Sequence, residues 1–190
     1  MKAGEVFGGR FAAQDAIAAN SANITASAAQ TGANPSVYQA IMYEENAHQL
    51  PPFGGERAIE NLCPKCVHGG IGVMQVSSGA SGLSNAALLD DKTNVVAGGT
   101  ILRGIQSNYG SNPAILGAYY NSGGYGPANT HAANYGQRVN SYANTNLSPT
   151  FGDQVVRGAV GVASSGISGV LSTLSAVLTT LSSVLKSLSK

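Results

Sequence analysis

The sequence predicts a mainly α-helical fold, and three observations lead there. Residues 11–31 are Ala-rich with scattered polar positions, a composition with high helix propensity. Apolar residues recur three and four apart over residues 35–47, 94–108 and 131–143, the spacing of a helix face. Two segments open on proline, Pro35 after Asn34 and Pro113, and proline suits a first helical turn.

Taken in order, residues 11–31 read as two helices or one broken helix. Gly32 stops that region, and Asn34 caps a restart at Pro35. The helix over 35–47 turns Val37, Tyr38, Ile41 and Met42 to one side. Residues 48–70, with Pro51, Pro52, Gly54, Gly55, Gly69 and Gly70, read as loop. Residues 71–76 (IGVMQV) form a short apolar segment. Val95, Ile101, Leu102 and Ile105 mark a helix over 94–108, and residues 113–121 form a short apolar one. A Gly-rich loop over 122–130 precedes a last helix around Tyr135, Val139 and Tyr142.

Composition narrows the class. The 190 residues suit one ordinary domain with an appendage. Only 10% are charged, well under the usual quarter, so Ser, Thr, Asn, Gln and Gly must supply the polar surface. The formal net charge of +1 gives no argument for a nucleic-acid partner. Glu5, Arg10, Gln14 and Asp15 interrupt any apolar run near the start, so no signal peptide is read.

With charge so scarce, "YEEN" at 43–46 stands out. Glu44 lies four residues after Ala40 and seven after Val37; Glu45 lies four after Ile41 and seven after Tyr38. Both sit at an edge of the apolar face, and helical geometry does not choose between them. A carboxyl there tends toward a raised pKa, since burial disfavours the charged form. A general acid working near neutral pH needs that. The plain alternative is a solvated helix end.

Four segments in order resemble the catalytic domain of soluble lytic transglycosylases and goose-type lysozymes. "NPSVYQAIMYEEN" resembles the helix ending in the catalytic Glu, "GIGVMQV" the Gly-Leu-Met-Gln motif, "NVVAGGTIL" the following Asn helix, and "AYYNSGG" the Ala-Tyr-Asn-Ala-Gly motif. Tyr135 with Arg138 and Val139 matches the closing Tyr element. The resemblance implies a lysozyme-like domain over 24–148, after a helical extension over 1–23 and before a segment over 149–190. It makes Glu45 the catalytic acid and puts Asn46 where the family usually has Ser. Met74, Gln75, Tyr120, Asn121 and Tyr135 become residues around the saccharide, with Tyr135 holding Glu45. Departures are Asn46 for Ser, Val73 for Leu, Ser122 for Ala, and a long insert before the GVMQ segment. Tyr119 beside Tyr120 leaves open which ring faces inward.

An inverting hydrolase adds a second carboxylate roughly 6.5–9.5 Å from the acid. Goose-type lysozymes carry an Asp just after Met-Gln, where this chain has Ser77 and Ser78. Asp90 and Asp91 stand where helix-start chemistry is expected. The resemblance therefore implies transglycosylase chemistry on peptidoglycan, with a 1,6-anhydro product. A hydrolase recruiting Glu56, Glu60 or Asp90 stays open. So does a structural protein whose domain only binds glycan.

"CPKCVH" puts Cys63, Cys66 and His68 close together. They resemble half a zinc site, with His48 as a fourth ligand. Because a second CxxC is absent, a local disulfide or two free thiols is favoured over zinc, and no cofactor is expected. The tail carries a heptad-like stripe through Ile167, Leu174, Leu181 and Leu188, and residues 158–185 hold no charge. That run exceeds the roughly 20 residues needed to cross a bilayer, but its Ser content suits assembly equally well. The expected partners are peptidoglycan strands and, through this apolar helix, other virion or membrane proteins. With no signal peptide, the expectation is a phage virion protein acting in the bacterial envelope during genome entry.

Overall fold

The computed structural model describes residues 9–47, 69–148 and 154, and helix dominates them. The chain divides into two units, Gly4–Pro149 and a second made of Met1–Ala3 with Thr150–Lys190. The first holds every element below. His48, Glu56, Glu60, Cys63, Cys66, His68 and the apolar tail lie outside the described residues. No helix among the described residues is long and apolar enough to cross a membrane.

Helix α1 spans Gly9–Thr31 without interruption, which corrects the expectation of two helices or a broken one. The polar residues that pointed to a break are bonded into the fold instead of capping helix ends. Asn20, 1% exposed, donates to the Ala16 carbonyl at 3.1 Å and to Asp91 at 3.2 Å. Ser27 shares a hydrogen bond of 2.8 Å with the Tyr38 hydroxyl. α1 also runs straight through residue 23, where an extension was expected to end. Phe11, Ala13 and Ala16 are buried on one side of that point and Ile24 and Ala28 on the other.

Gly32 ends α1 in the left-handed region at φ +71°, with its N–H on the Ala28 carbonyl. Asn34 accepts from the Ser36 N–H at 2.9 Å and opens α2, Pro35–Ala47. Val37, Tyr38, Ile41 and Met42 are buried, as the apolar spacing predicts. The Tyr38 hydroxyl lies so close to Gly99 that any side chain there would strike it.

Two four-residue helices, α3 (Ser78–Ser81) and α4 (Asn85–Leu88), are capped by Ser77 and Ser84. α5, Asp91–Tyr109, is capped by Asp90, whose carboxylate accepts from the Thr93 N–H at 2.8 Å and hydroxyl at 2.7 Å. Asn112 caps α6, Pro113–Ser122, and Asn129 caps α7, Thr130–Ala143. The Gly-rich loop between them contains a 3-10 turn, Gly126–Ala128. α6 and α7 pack closely because Gly136 has only a hydrogen facing the Ala114 carbonyl.

Residues 71–76 form a tight turn closed by an antiparallel bridge, Ile71 to Val76, with N–H to O distances of 3.1 and 2.9 Å. Val73 and Met74 at its tip are completely buried. Irregular backbone inside a core needs side-chain partners, and three helices supply them. Asn94 of α5, itself fully enclosed, donates to the carbonyls of Ile71 at 2.7 Å and Leu88 at 3.0 Å. Its own oxygen accepts from the Met74 N–H at 2.9 Å. Asn46 of α2 donates to the Val73 carbonyl at 2.8 Å. Tyr120 of α6 donates to the Met74 carbonyl at 2.8 Å. Asn94→Ala strands the Leu88 carbonyl and the Met74 N–H in the interior and takes one of two donors from the Ile71 carbonyl. It is expected to cost roughly 3 kcal/mol or more, measured by denaturant unfolding.

Candidate active site

Glu44 and Glu45, equivalent on the sequence, are separated by the fold. The Glu44 side chain is 2% exposed, and its Oε1 lies 2.6 Å from Arg138 Nε. Glu45 is half-buried, and its Oε1 accepts from the Tyr135 hydroxyl at 2.6 Å. Both partners come from α7, on which Tyr135 and Arg138 stand three residues apart on one face. One glutamate is thus enclosed in an ion pair. The other keeps access to solvent while a phenol fixes its orientation.

Buried Tyr135 and half-buried Tyr120 border Glu45. Burial, and then the Glu45 charge, push both Tyr120 and Tyr135 well above the ordinary phenol value. Each keeps its proton through neutral pH and acts as a donor, Tyr120 to the Met74 carbonyl and Tyr135 to Glu45. The choice between neighbouring tyrosines is also resolved. Tyr120 faces inward, while Tyr119 stacks on Tyr109, with ring centroids 3.7 Å apart and planes 11° from parallel.

The other expected site residues divide by exposure. Asn46 is 6% exposed, with its amide on the carbonyls of Met42 and Val73. Met74 is fully enclosed, with its sulfur side against Gly98. Asn46 braces the turn, and Met74 anchors its tip in the core. Gln75 is half-buried and adopts φ +48°, a left-handed conformation rare outside glycine. Its amide donates to the Gly72 carbonyl at 2.9 Å, and its side chain fills the space a Cβ at Gly70 would need. Asn121 is exposed at the end of α6.

Among the described residues, the positions considered for a second carboxylate have other tasks, while Glu56 and Glu60 lie outside them. Ser77 accepts from the Ala80 N–H at 3.2 Å as a helix cap. Asp90 caps α5, and its hydrogen bonds to the Thr93 backbone and then hydroxyl lower its pKa. Asp91 accepts from Asn20. No group of three or more His, Cys, Asp or Glu among the described residues is placed to hold a metal ion.

Sequence reasoning passed over Arg138 as a partner for Glu44, and Asn94 as the brace of the turn. The signal for Arg138 was its spacing from Tyr135. That for Asn94 was an Asn placed where a helix face turns apolar. No family model, curated protein or solved structure is similar enough to this chain to count as a match.

These two phenols fix an alkaline limit. In the unfolded chain Tyr120 and Tyr135 ionise near pH 10, whereas the folded chain holds both protons to higher pH. Above about pH 10 the unfolded state therefore binds fewer protons, and stability falls as pH rises. Tyrosinate absorbance followed alongside circular dichroism is expected to show these two groups ionising only as the helices melt. Tyr135→Phe should remove part of that pH dependence.

Proposed function

We propose that this protein is a peptidoglycan lytic transglycosylase with a lysozyme-like domain. Its target is the β-1,4 bond between N-acetylmuramic acid and N-acetylglucosamine. The observation that carries this reading is the Tyr135–Glu45 hydrogen bond of 2.6 Å on the accessible side of α2. The four segments that resemble the transglycosylase motifs also meet around one buried turn, through Asn46, Asn94 and Tyr120.

In the proposed reaction Glu45, protonated, gives its proton to the glycosidic oxygen as the bond to the muramic acid C1 breaks. The sugar's own N-acetyl oxygen closes on C1 and holds the developing positive charge. Glu45, now a carboxylate, takes the proton of the 6-hydroxyl while that oxygen attacks C1 and displaces the acetamido oxygen. A 1,6-anhydro ring forms and Glu45 ends protonated, ready for another cycle. Water is not consumed. Tyr135 donates to Oε1 throughout, which assigns the travelling proton to Oε2. Among the described residues Asp90, Asp91 and Glu44 are all engaged elsewhere, which supports this route over a hydrolase using one of them.

The proposed setting is the bacterial envelope, with the protein carried in a phage particle and the apolar tail joining it to other virion or membrane proteins.

Purified peptidoglycan digested with wild type and with Glu45→Gln, with products identified by mass spectrometry, tests the reading. Anhydro-muropeptides from wild type, reduced at least about a hundredfold in the variant, are expected. Reducing-end products would make the protein a muramidase. Absence of products, with glycan still bound, would leave a binding domain.

A further inference from the structure

Glu44 is the charged residue among the buried side chains described, at 3% exposed. A buried carboxylate is costly unless it is paired, and the proposed acid chemistry uses only its neighbour. Replacing such a pair by apolar residues is often neutral or favourable for stability, so stability alone does not account for it.

The surrounding contacts offer an account. Three consecutive residues of α2 meet three residues of α7 in reverse order. The rings of Tyr43 and Tyr142 lie 4.6 Å apart, Glu44 pairs with Arg138 at 2.6 Å, and Glu45 accepts from Tyr135 at 2.6 Å. The Arg138 guanidinium carbon is 5.9 Å from the centre of the Tyr135 ring. A path of contacts thus leaves Glu44, passes through Arg138 and Tyr135, and returns to Glu45.

Apolar contacts between helices are non-directional and tolerate sliding and rolling. A short charge-assisted hydrogen bond does not. We propose that Glu44 and Arg138 are positioning residues: their ion pair sets the register and roll of α7 against α2, and so places the Tyr135 hydroxyl on Glu45. This inference rests on the reading of Glu45 as the acid only for its consequence in catalysis. The positioning itself is a property of the fold.

The test reads the contact directly. Carbon-13 labelling of glutamate carboxyls allows Glu45 to be titrated by NMR, with Glu45→Gln assigning the signal. Tyr135→Phe removes a donor from the carboxylate and is expected to raise its midpoint by about half a unit or more. Glu44→Met/Arg138→Met leaves net charge unchanged, so simple Coulomb influence is largely cancelled. It is expected to raise the midpoint by a similar amount, and adding Tyr135→Phe should then raise it no further. A wild-type midpoint in the double variant, a shift that adds independently to that of Tyr135→Phe, or no response to Tyr135→Phe would overturn the proposal.

Should the double variant fail to fold, Arg138→Lys keeps the charge but loses the planar guanidinium. A raised midpoint there supports positioning, and an unchanged one overturns it. Where glycan cleavage is measurable, the double variant should lower kcat about tenfold with little change in KM. Coupling in the titration with cleavage unaffected by Glu45→Gln would keep the positioning and reject Glu45 as the acid.

Discussion

Everything described here depends on one constraint: a hairpin turn is buried in the core, and its backbone must be satisfied by side chains. Val73 and Met74 carry the turn inward because both are apolar. Their peptide groups go with them and cannot reach water. Asn94, Asn46 and Tyr120 take up that demand from three helices. The same bonds that satisfy the turn therefore fix α2, α5 and α6 relative to one another. Glycine completes the arrangement where backbone must come close. At Gly72 a side chain would meet Asn94 and the Leu88 carbonyl, and at Gly98 it would meet the Met74 sulfur.

From that frame the candidate site follows by adjacency. Asn46 is anchored to the turn, and Glu45 is the residue before it, so the carboxyl's height along α2 is set by a bond one residue away. α7 then approaches from the other side, packed on α6 through Gly136 and Gly117, and delivers Tyr135 and Arg138. An identical pair of acids thereby acquires two environments. The difference arises from which α7 residue meets each of them.

Much of this was legible in the chain. Pro35 and Pro113 mark the starts of α2 and α6, and Gly32 marks the stop of α1. These signals act through backbone geometry within a few residues, so no distant contact is needed to read them. Asp90 as helix-start chemistry was legible for the same reason. α3 and α4 were not, since a four-residue helix is too short to show a period. The continuity of α1 was not either. Asn20 and Ser27 look like caps locally, and only partners 71 and 11 residues away show that they are bonded inside the fold.

By itself the sequence determined the helical class and the positions of the main helices, because spacing and caps are local properties. Only the tertiary structure decided which glutamate is enclosed and which is accessible, and that Tyr120 rather than Tyr119 faces inward. It likewise decided that Asn46 braces a turn and that Met74 is enclosed at its tip. Each of those outcomes depends on a partner at least 20 residues away along the chain, brought near by packing of one helix against another.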